Sequence, residues 1–264
     1  PSEGFLNAQA TNIGAIQNTG IESSLHGRIL QGRSLQWSGS INYTTNTNKI
    51  MDMGGVAPFF VNDARIVEGF PVNSIWRFPL AKWDPTTRRH TAGTERVYAG
   101  PIDPRWYGSV SSDLNFKAVT LNVMMDYSGG NKKIDFSHYW DTRVRSGDHY
   151  LSLINQPDGT PTPAADSLVD YVNALGSTVF VEDADYLVLR EVGLTFQLPT
   201  SWTSRAALKR TSVRLSSRNV YMWTKFPGTD PQTNWRGNVT VGGSSDFDSQ
   251  PIPRIFMFAV RTSF

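Results

Sequence analysis

The stretch Ile255-Phe-Met-Phe-Ala-Val-Arg-Thr-Ser-Phe264 has the length and the Phe and Val content of a strand. Alternate residues of a pleated strand share a face, so Phe256, Phe258, Val260 and Phe264 fall together, with Thr262 as the only polar member of the series. A last strand with apolar residues at every second position and a terminal Phe is expected where one face of a β-barrel meets lipid. The core strand of a soluble sheet reads the same way, so the rest of the chain has to decide.

Upstream, the period-two pattern recurs. Leu35, Trp37, Gly39, Ile41 and Tyr43 alternate with Gln36, Ser38, Ser40 and Asn42. Val119, Leu121, Val123, Met125 and Tyr127 alternate with Thr120, Asn122, Met124 and Asp126. Val192, Leu194, Phe196 and Leu198 alternate with Glu191, Gly193, Thr195 and Gln197, and Val110, Leu114 and Phe116 alternate with Ser111, Asp113, Asn115 and Lys117. Weaker alternation runs from Ile21 to Ile29 and from Thr211 toward Tyr221. With the terminal segment, seven strands are expected. A soluble sandwich would alternate in the same way.

Composition narrows the choice. Apolar residues at 39% and aromatics at 12% do not fit a disordered chain. No apolar run approaches the roughly 18 to 20 residues of a spanning helix, whereas a spanning strand needs only about 9 to 11 residues, half of them apolar. The absence of Cys excludes disulfides, thiolate metal sites and thiol nucleophiles. A formal charge of +2, with Lys and Arg scattered, points to no nucleic-acid partner. The chain opens on Pro1 without Met or signal peptide and reads as mature or truncated.

The expected connections alternate in length along the chain. Gln31 to Ser34, Lys117-Ala118 and Pro199 to Leu208 are short; Thr44 to Gly108, Ser128 to Asp185 and Met222 to Arg254 are long. Outer-membrane barrels have this asymmetry, with short inner turns and elaborated outer loops. Tyr43, Tyr127 and Tyr221 are then expected at outer strand ends, and Trp37, Trp202 and Phe264 near inner ends, as two aromatic girdles. Lys117-Ala118 lacks the Gly or Asn usual in a two-residue hairpin. Seven strands fall short of the smallest barrels of about eight, and an open edge in lipid strands unpaired backbone groups. The fold class expected is therefore all-β: an antiparallel transmembrane segment of a larger barrel, with long outer loops.

Several segments in order carry a family resemblance. VEDADYLVLREVGLTFQLPT (181–200), VRLSSRNVYMWTKFPGTDPQTNW (213–235) and the terminal PRIFMFAVRTSF resemble the end of SusC/RagA-type TonB-linked outer-membrane receptors. NTGIESSLHGRI (18–29), LQWSGSINYTTNTNKI (35–50), VEGFPVNSIW (67–76) and WYGSVSSDLNFKAVTLNVMMDYSGG (106–130) are similar to earlier parts of that family, in the same order. The resemblance implies a bacterial outer-membrane barrel of about 22 strands, plugged by an amino-terminal domain, energised by TonB and capped by a SusD-like surface lipoprotein. It implies import of oligosaccharides, peptides or similar nutrients. Residues 1–264 would be the carboxy-terminal portion of that barrel, without the plug and the TonB-contacting segment, and the terminal strand with Phe256, Phe258, Val260 and Phe264 would be the signal read by the barrel-assembly machinery.

Site residues are expected on two surfaces. Gln36, Asn42, Asn122, Glu191, Thr195 and Gln197 would line the lumen, and Trp140, Trp223 and Trp235, in or near outer loops, would meet ligand or lid unless they pack within the loops. Glu182, Asp183 and Asp185 lack the ligand spacing of a calcium loop and the paired placement of a glycosidase, and read as a solvated loop. Lys225-Phe-Pro-Gly-Thr-Asp-Pro-Gln is dense in turn formers. His26, His90, His138 and His149 lack metal spacing, and no nucleophile elbow or phosphate cradle occurs. Neither enzyme activity nor a cofactor is expected. The alternative is a secreted β-sandwich binding carbohydrate through exposed Trp, in which Leu121, Val123, Leu194 and Phe196 would face a second sheet.

Overall fold

The structure, a computed structural model, describes residues 14–84, 89–144, 178–204, 208, 210–237 and 239–263. All seven expected strands are present: β1 (Ala15–Gln31), β2 (Leu35–Asp52), β3 (Trp106–Phe116), β4 (Val119–Gly129), β5 (Tyr186–Gln197), β6 (Ser212–Thr224) and β7 (Ile255–Arg261). They form one sheet in chain order, each antiparallel to the next. Three of the six neighbouring pairs are joined by short turns and the other three by the long connections.

Register aligns the apolar residues into rows. Leu35, Phe116, Val119, Phe196, Val213 and Val260 are successive cross-strand partners, and so are Trp37, Leu114, Leu121, Leu194, Leu215 and Phe258. Side chains alternate across the sheet, so these rows share one face. Among the described residues no second sheet covers it: Leu194 is 47% exposed, Phe258 68% and Phe256 77%. The sandwich reading fails on this point, because it requires Leu121, Val123, Leu194 and Phe196 to be roofed.

The first hairpin is longer than alternation indicates. β2 runs past Tyr43 to Asp52 and pairs with β1 back to Ala15. Thr44-Thr-Asn-Thr-Asn48 carries no apolar period, but it is held from outside: Asn46 N–H donates to the Arg105 carbonyl at 3.0 Å, Ile50 N–H to that of Phe70 at 2.9 Å, and Val72 N–H to the Asn48 side chain at 2.8 Å. The 18 residues of β2 extend about 60 Å, well beyond a lipid-facing band about 25 Å tall even with strand tilt. Tyr43 is therefore mid-strand, where a strand end was expected.

The expected outer loops form a folded layer. The first long connection builds a four-stranded sheet from Phe59–Val61, Ala64–Ile66, Ser74–Arg77 and Val97–Pro101. The second supplies Lys132–Asp135, helix α1 (Phe136–Arg143) and Val181–Asp183; the third adds Ser245–Asp246, parallel to Lys132–Asp135. Ala64, Ile75, Ile102 and Ile134 form the buried cluster, with Val181 and Val241 against it, so all three connections share one core. The hydrophobic cluster of the described residues thus sits in this cap, while the strand meander buries only scattered apolar side chains such as Ile50 and Val188.

At the opposite end the short turns are stitched together. Lys117 N–H donates to the Ser34 carbonyl at 3.0 Å, Gln197 N–H to Ala118 at 2.8 Å, and Leu198 N–H to Thr211 at 2.8 Å. Lys117 adopts φ +52°, the left-handed conformation a tight hairpin demands, at about 1 kcal/mol for a residue with a Cβ. That is how Lys117-Ala118 turns without Gly or Asn.

Candidate functional site

Opposite the apolar rows lies a hydrogen-bonded polar face, and Gln36, Asn42, Asn122, Glu191, Thr195 and Gln197 all fall on it by register. Its centre is Arg214 on β6. The guanidinium donates to Glu191 Oε1 at 2.8 Å, Asn122 Oδ1 at 2.7 Å and Thr195 Oγ1 at 3.3 Å. Arg218 reaches the other oxygen of Glu191 at 3.1 Å, and Asn122 donates to Asp113. Toward the first hairpin, Ser24 donates to Asn42 Oδ1 at 2.7 Å and Asn42 to Ser109 at 3.1 Å. Among the described residues no side-chain hydrogen bond ties Gln36 or Gln197 into this network. The carboxylate of Glu191 thus bridges two guanidiniums along the sheet wall, and Asn122 links Arg214 to the carboxylate of Asp113.

A bulge enlarges that network. Pairing passes from Leu189 to Glu191, which leaves Arg190 as an extra residue on β5. A bulge re-aims the side chain it carries; here the guanidinium donates to Asp126 at 2.6 Å, Asn219 at 2.7 Å and Gln232 at 2.5 Å. Gln232 belongs to the third long connection, so Arg190 joins wall to cap. Asn219 itself takes φ +52° in the facing irregularity of β6.

Two of the three Trp candidates meet. Trp140 on α1 and Trp235 both pack on Phe247, with ring centroids 6.3 and 5.8 Å away, and Phe136 and Tyr139 extend the cluster. Trp223 is elsewhere: it ends β6 beside Tyr221, centroids 4.8 Å apart, on the apolar face in the row of Tyr43 and Tyr127. Trp37 and Trp202 lie toward the short turns, Trp202 against Phe196. Phe256, Phe258 and Val260 project from the outer face of β7, while Phe264 and His149 are outside the described residues.

The turn-rich segment Lys225 to Gln232 has a specific target. Phe226 and Asp230 are buried, and the carbonyls of Asp230, Pro231 and Thr233 close around the ammonium of Lys133. Burial pushes Lys133 down to about 8, against the pull of Asp246, Asp230 and Asp135. Asp135, in contact with His138, is raised by burial. A second buried carboxylate, Asp63, accepts both nitrogens of Arg236 at 3.1 and 3.2 Å and the Ser245 hydroxyl at 2.5 Å, with Arg77 at 3.9 Å. It ties the first connection to the third. Sequence reading missed Lys133, Asp63 and Arg236, because a buried charge leaves no periodic signature; only the density of turn formers hinted that something was being wrapped.

The expected carboxylate cluster is divided. Asp183 pairs with Lys132 at 2.7 Å, Asp185 accepts the Gly130 N–H at 2.8 Å, and partial burial raises Glu182. Among the described residues no group of three His, Asp or Glu is placed to hold a metal. What the arrangement offers is two walls, one apolar and one polar and self-paired, under a folded cap.

No protein-family profile matches the chain. Curated relatives do: TonB-dependent receptor P3 of Formosa agariphila is 22% identical over 100% of this chain and 30% of its own length, and TonB-dependent receptor P26 of the same organism is 23% identical over 100% and 31%. Among solved structures, the RagAB peptide importer in the "open-open" state matches 100% of this chain and 30% of that one, with TM-score 0.78 and 22% identity. The "closed-closed" state gives TM-score 0.77. The chain spans about a third of the length of these relatives. The chain is thus similar in sequence along its whole length to TonB-dependent receptors, and its fold matches part of the solved RagAB importer.

Proposed function

We propose that these residues form the carboxy-terminal portion of a nutrient importer's barrel, with the apolar rows in lipid, the polar face toward the lumen and the cap outside the cell. The observation that carries this reading is a sheet with an uncovered apolar face backed by a wall of paired polar groups. Such a face is stable in acyl chains and poorly tolerated in water. The mechanism is gated passage, in which no covalent bond is broken. TonB would act through a plug belonging to the rest of the protein, and a SusD-like lipoprotein would close over the cap, where Trp140 and Trp235 share one aromatic cluster. Oligosaccharide or peptide is the cargo class, and the likeness to a peptide importer favours peptide.

The test is uptake by cells carrying or lacking the full-length receptor, fed labelled oligopeptides or oligosaccharides, with outer membranes fractionated in parallel. Import that depends on the receptor, and a receptor found with outer membranes, are expected. A receptor recovered in the soluble fraction, or uptake of both cargo classes unchanged by its deletion, would end the proposal.

A further inference from the structure

Along one edge of the cap, positive charge is left uncompensated among the described residues. Arg65 lies on the strand Ala64–Ile66 and Arg96 just precedes the strand Val97–Pro101. Their guanidiniums approach the same ring, Phe60, at 5.6 and 4.3 Å. Each is also held by a second ring, Arg65 by Trp76 at 5.3 Å and Arg96 by Phe78 at 5.0 Å. Aromatic faces attract a guanidinium through the ring quadrupole, which holds both groups in place without neutralising either.

Among the described residues neither guanidinium has a carboxylate within ion-pairing distance. Asp63, the buried acid of this region, is taken up by Arg236, Arg77 and Ser245. Glu68 and Glu95, close by in sequence, are exposed and pair with neither. Arg65 Nε is shut off from solvent and donates no hydrogen bond. Partial burial, and after it the charge of Arg65, lowers Arg96. A pair of like charges without a counter-ion costs free energy that a bound anion would recover at their exposed nitrogens.

We infer that Arg65 and Arg96, gathered on Phe60, form an oxyanion-binding site on the cap that takes a carboxylate or sulfate group of an acidic ligand. The guanidinium forks match a planar or tetrahedral oxyanion bidentately, which an ammonium could not do. Phe59 and Phe60, both partly exposed, flank the site with apolar surface. The ligand is therefore an anionic group on a partly apolar molecule, with an acidic peptide and a sulfated sugar as its two sources.

Calorimetric titration of the full-length receptor in detergent at low salt, with tetraglutamate, tetraglutamine and a sulfated disaccharide, tests the inference. At least one acidic probe is expected to bind about tenfold or more tighter than tetraglutamine, and the tighter of the two identifies the source. R96Q should weaken that probe about tenfold, R96K less, and R65Q/R96Q should remove binding. Acidic probes that bind no tighter than tetraglutamine, or binding unchanged in R96Q, would overturn the site. If the double variant does not fold, R96Q decides alone, since Arg96 is half-exposed and supports no core contact. Binding is read without transport, so failure here leaves the import proposal standing, and failure of import leaves the site standing.

Discussion

The guanidinium of Arg214 lies across Gly193, in the space that a Cβ on residue 193 would fill: the built Cβ comes within 2.4 Å of Nη2 and 2.8 Å of Cζ. Gly193 is thus the opening through which Arg214 reaches back to Glu191 and Asn122. A second glycine is closed by backbone. At Gly108 a Cβ would fall 2.0 Å from the Asn42 carbonyl oxygen and 2.5 Å from the Tyr127 hydroxyl, which donates to that same carbonyl at 2.9 Å. A guanidinium at the end of a flexible side chain can swing away, whereas a strand carbonyl cannot.

G193A is therefore expected to cost about 1 kcal/mol, the worth of the displaced hydrogen bonds, and G108A about 3 kcal/mol or more, since the β2–β3 ladder itself must shift. Thermal unfolding of the full-length receptor in detergent, read for both variants, checks the order. Equal effects would mean that Gly193 is not cleared for Arg214.

Adjacent residues on β5 separate the two walls. Leu194 lies in an apolar row and Thr195 beside Arg214. L194R should lower stability by about 2 to 4 kcal/mol, as cations at mid-depth of a lipid-facing strand do, while T195R should cost under about 1 kcal/mol because its face is already polar. Refolding into lipid vesicles under denaturant gives both values. A larger penalty at position 195 would reverse the assignment of faces.

Lys133 supplies a pH dependence confined to the cap. Its value falls from 10.5 to about 8 on folding, so below pH 8 both folded and unfolded chains carry the charge and the burial penalty is present in full. Between pH 8 and 10.5 the unfolded chain binds more protons, and stability from this group rises with pH by up to about 3 kcal/mol. Measured against K133M, the wild type should gain over that window and show no relative change between pH 6 and 7.5. A constant difference across the whole range would mean that Lys133 keeps an ordinary value.

Asp63 joins the first and third long connections through Arg236. Removing one partner of a buried pair leaves a charge uncompensated, at about 3 to 5 kcal/mol. D63A should therefore loosen the cap locally, with faster proteolysis within residues 225–254 and unchanged membrane insertion. R236A should give the milder form, since Asp63 keeps Ser245 and the more distant Arg77. Wild-type proteolysis rates in D63A would show that the loops are held together by their shared core alone.

Alternation of apolar and polar residues determined the strand meander. From Leu35 to Tyr43 or from Val119 to Tyr127, the side-chain period of two leaves a single way to segregate the faces, and the short turns fix the pairing of every second strand pair. The same logic places Gln36, Asn122, Glu191 and Thr195 on a common wall. The terminal tract of β2 was invisible in this way, because Thr44 to Asn48 have no apolar period and are strand through pairing with β1 and hydrogen bonds from the first long connection. The cap was also decided by tertiary structure alone. Its strands are two to five residues long, too short to show a period, and the charges within it are paid for by carbonyls and carboxylates from other connections. Lys133 amid the Asp230 turn, Asp63 beneath Arg236 and Arg190 at its bulge exist as interactions only once three separated stretches have packed together, and a linear pattern cannot carry information about which of them meet.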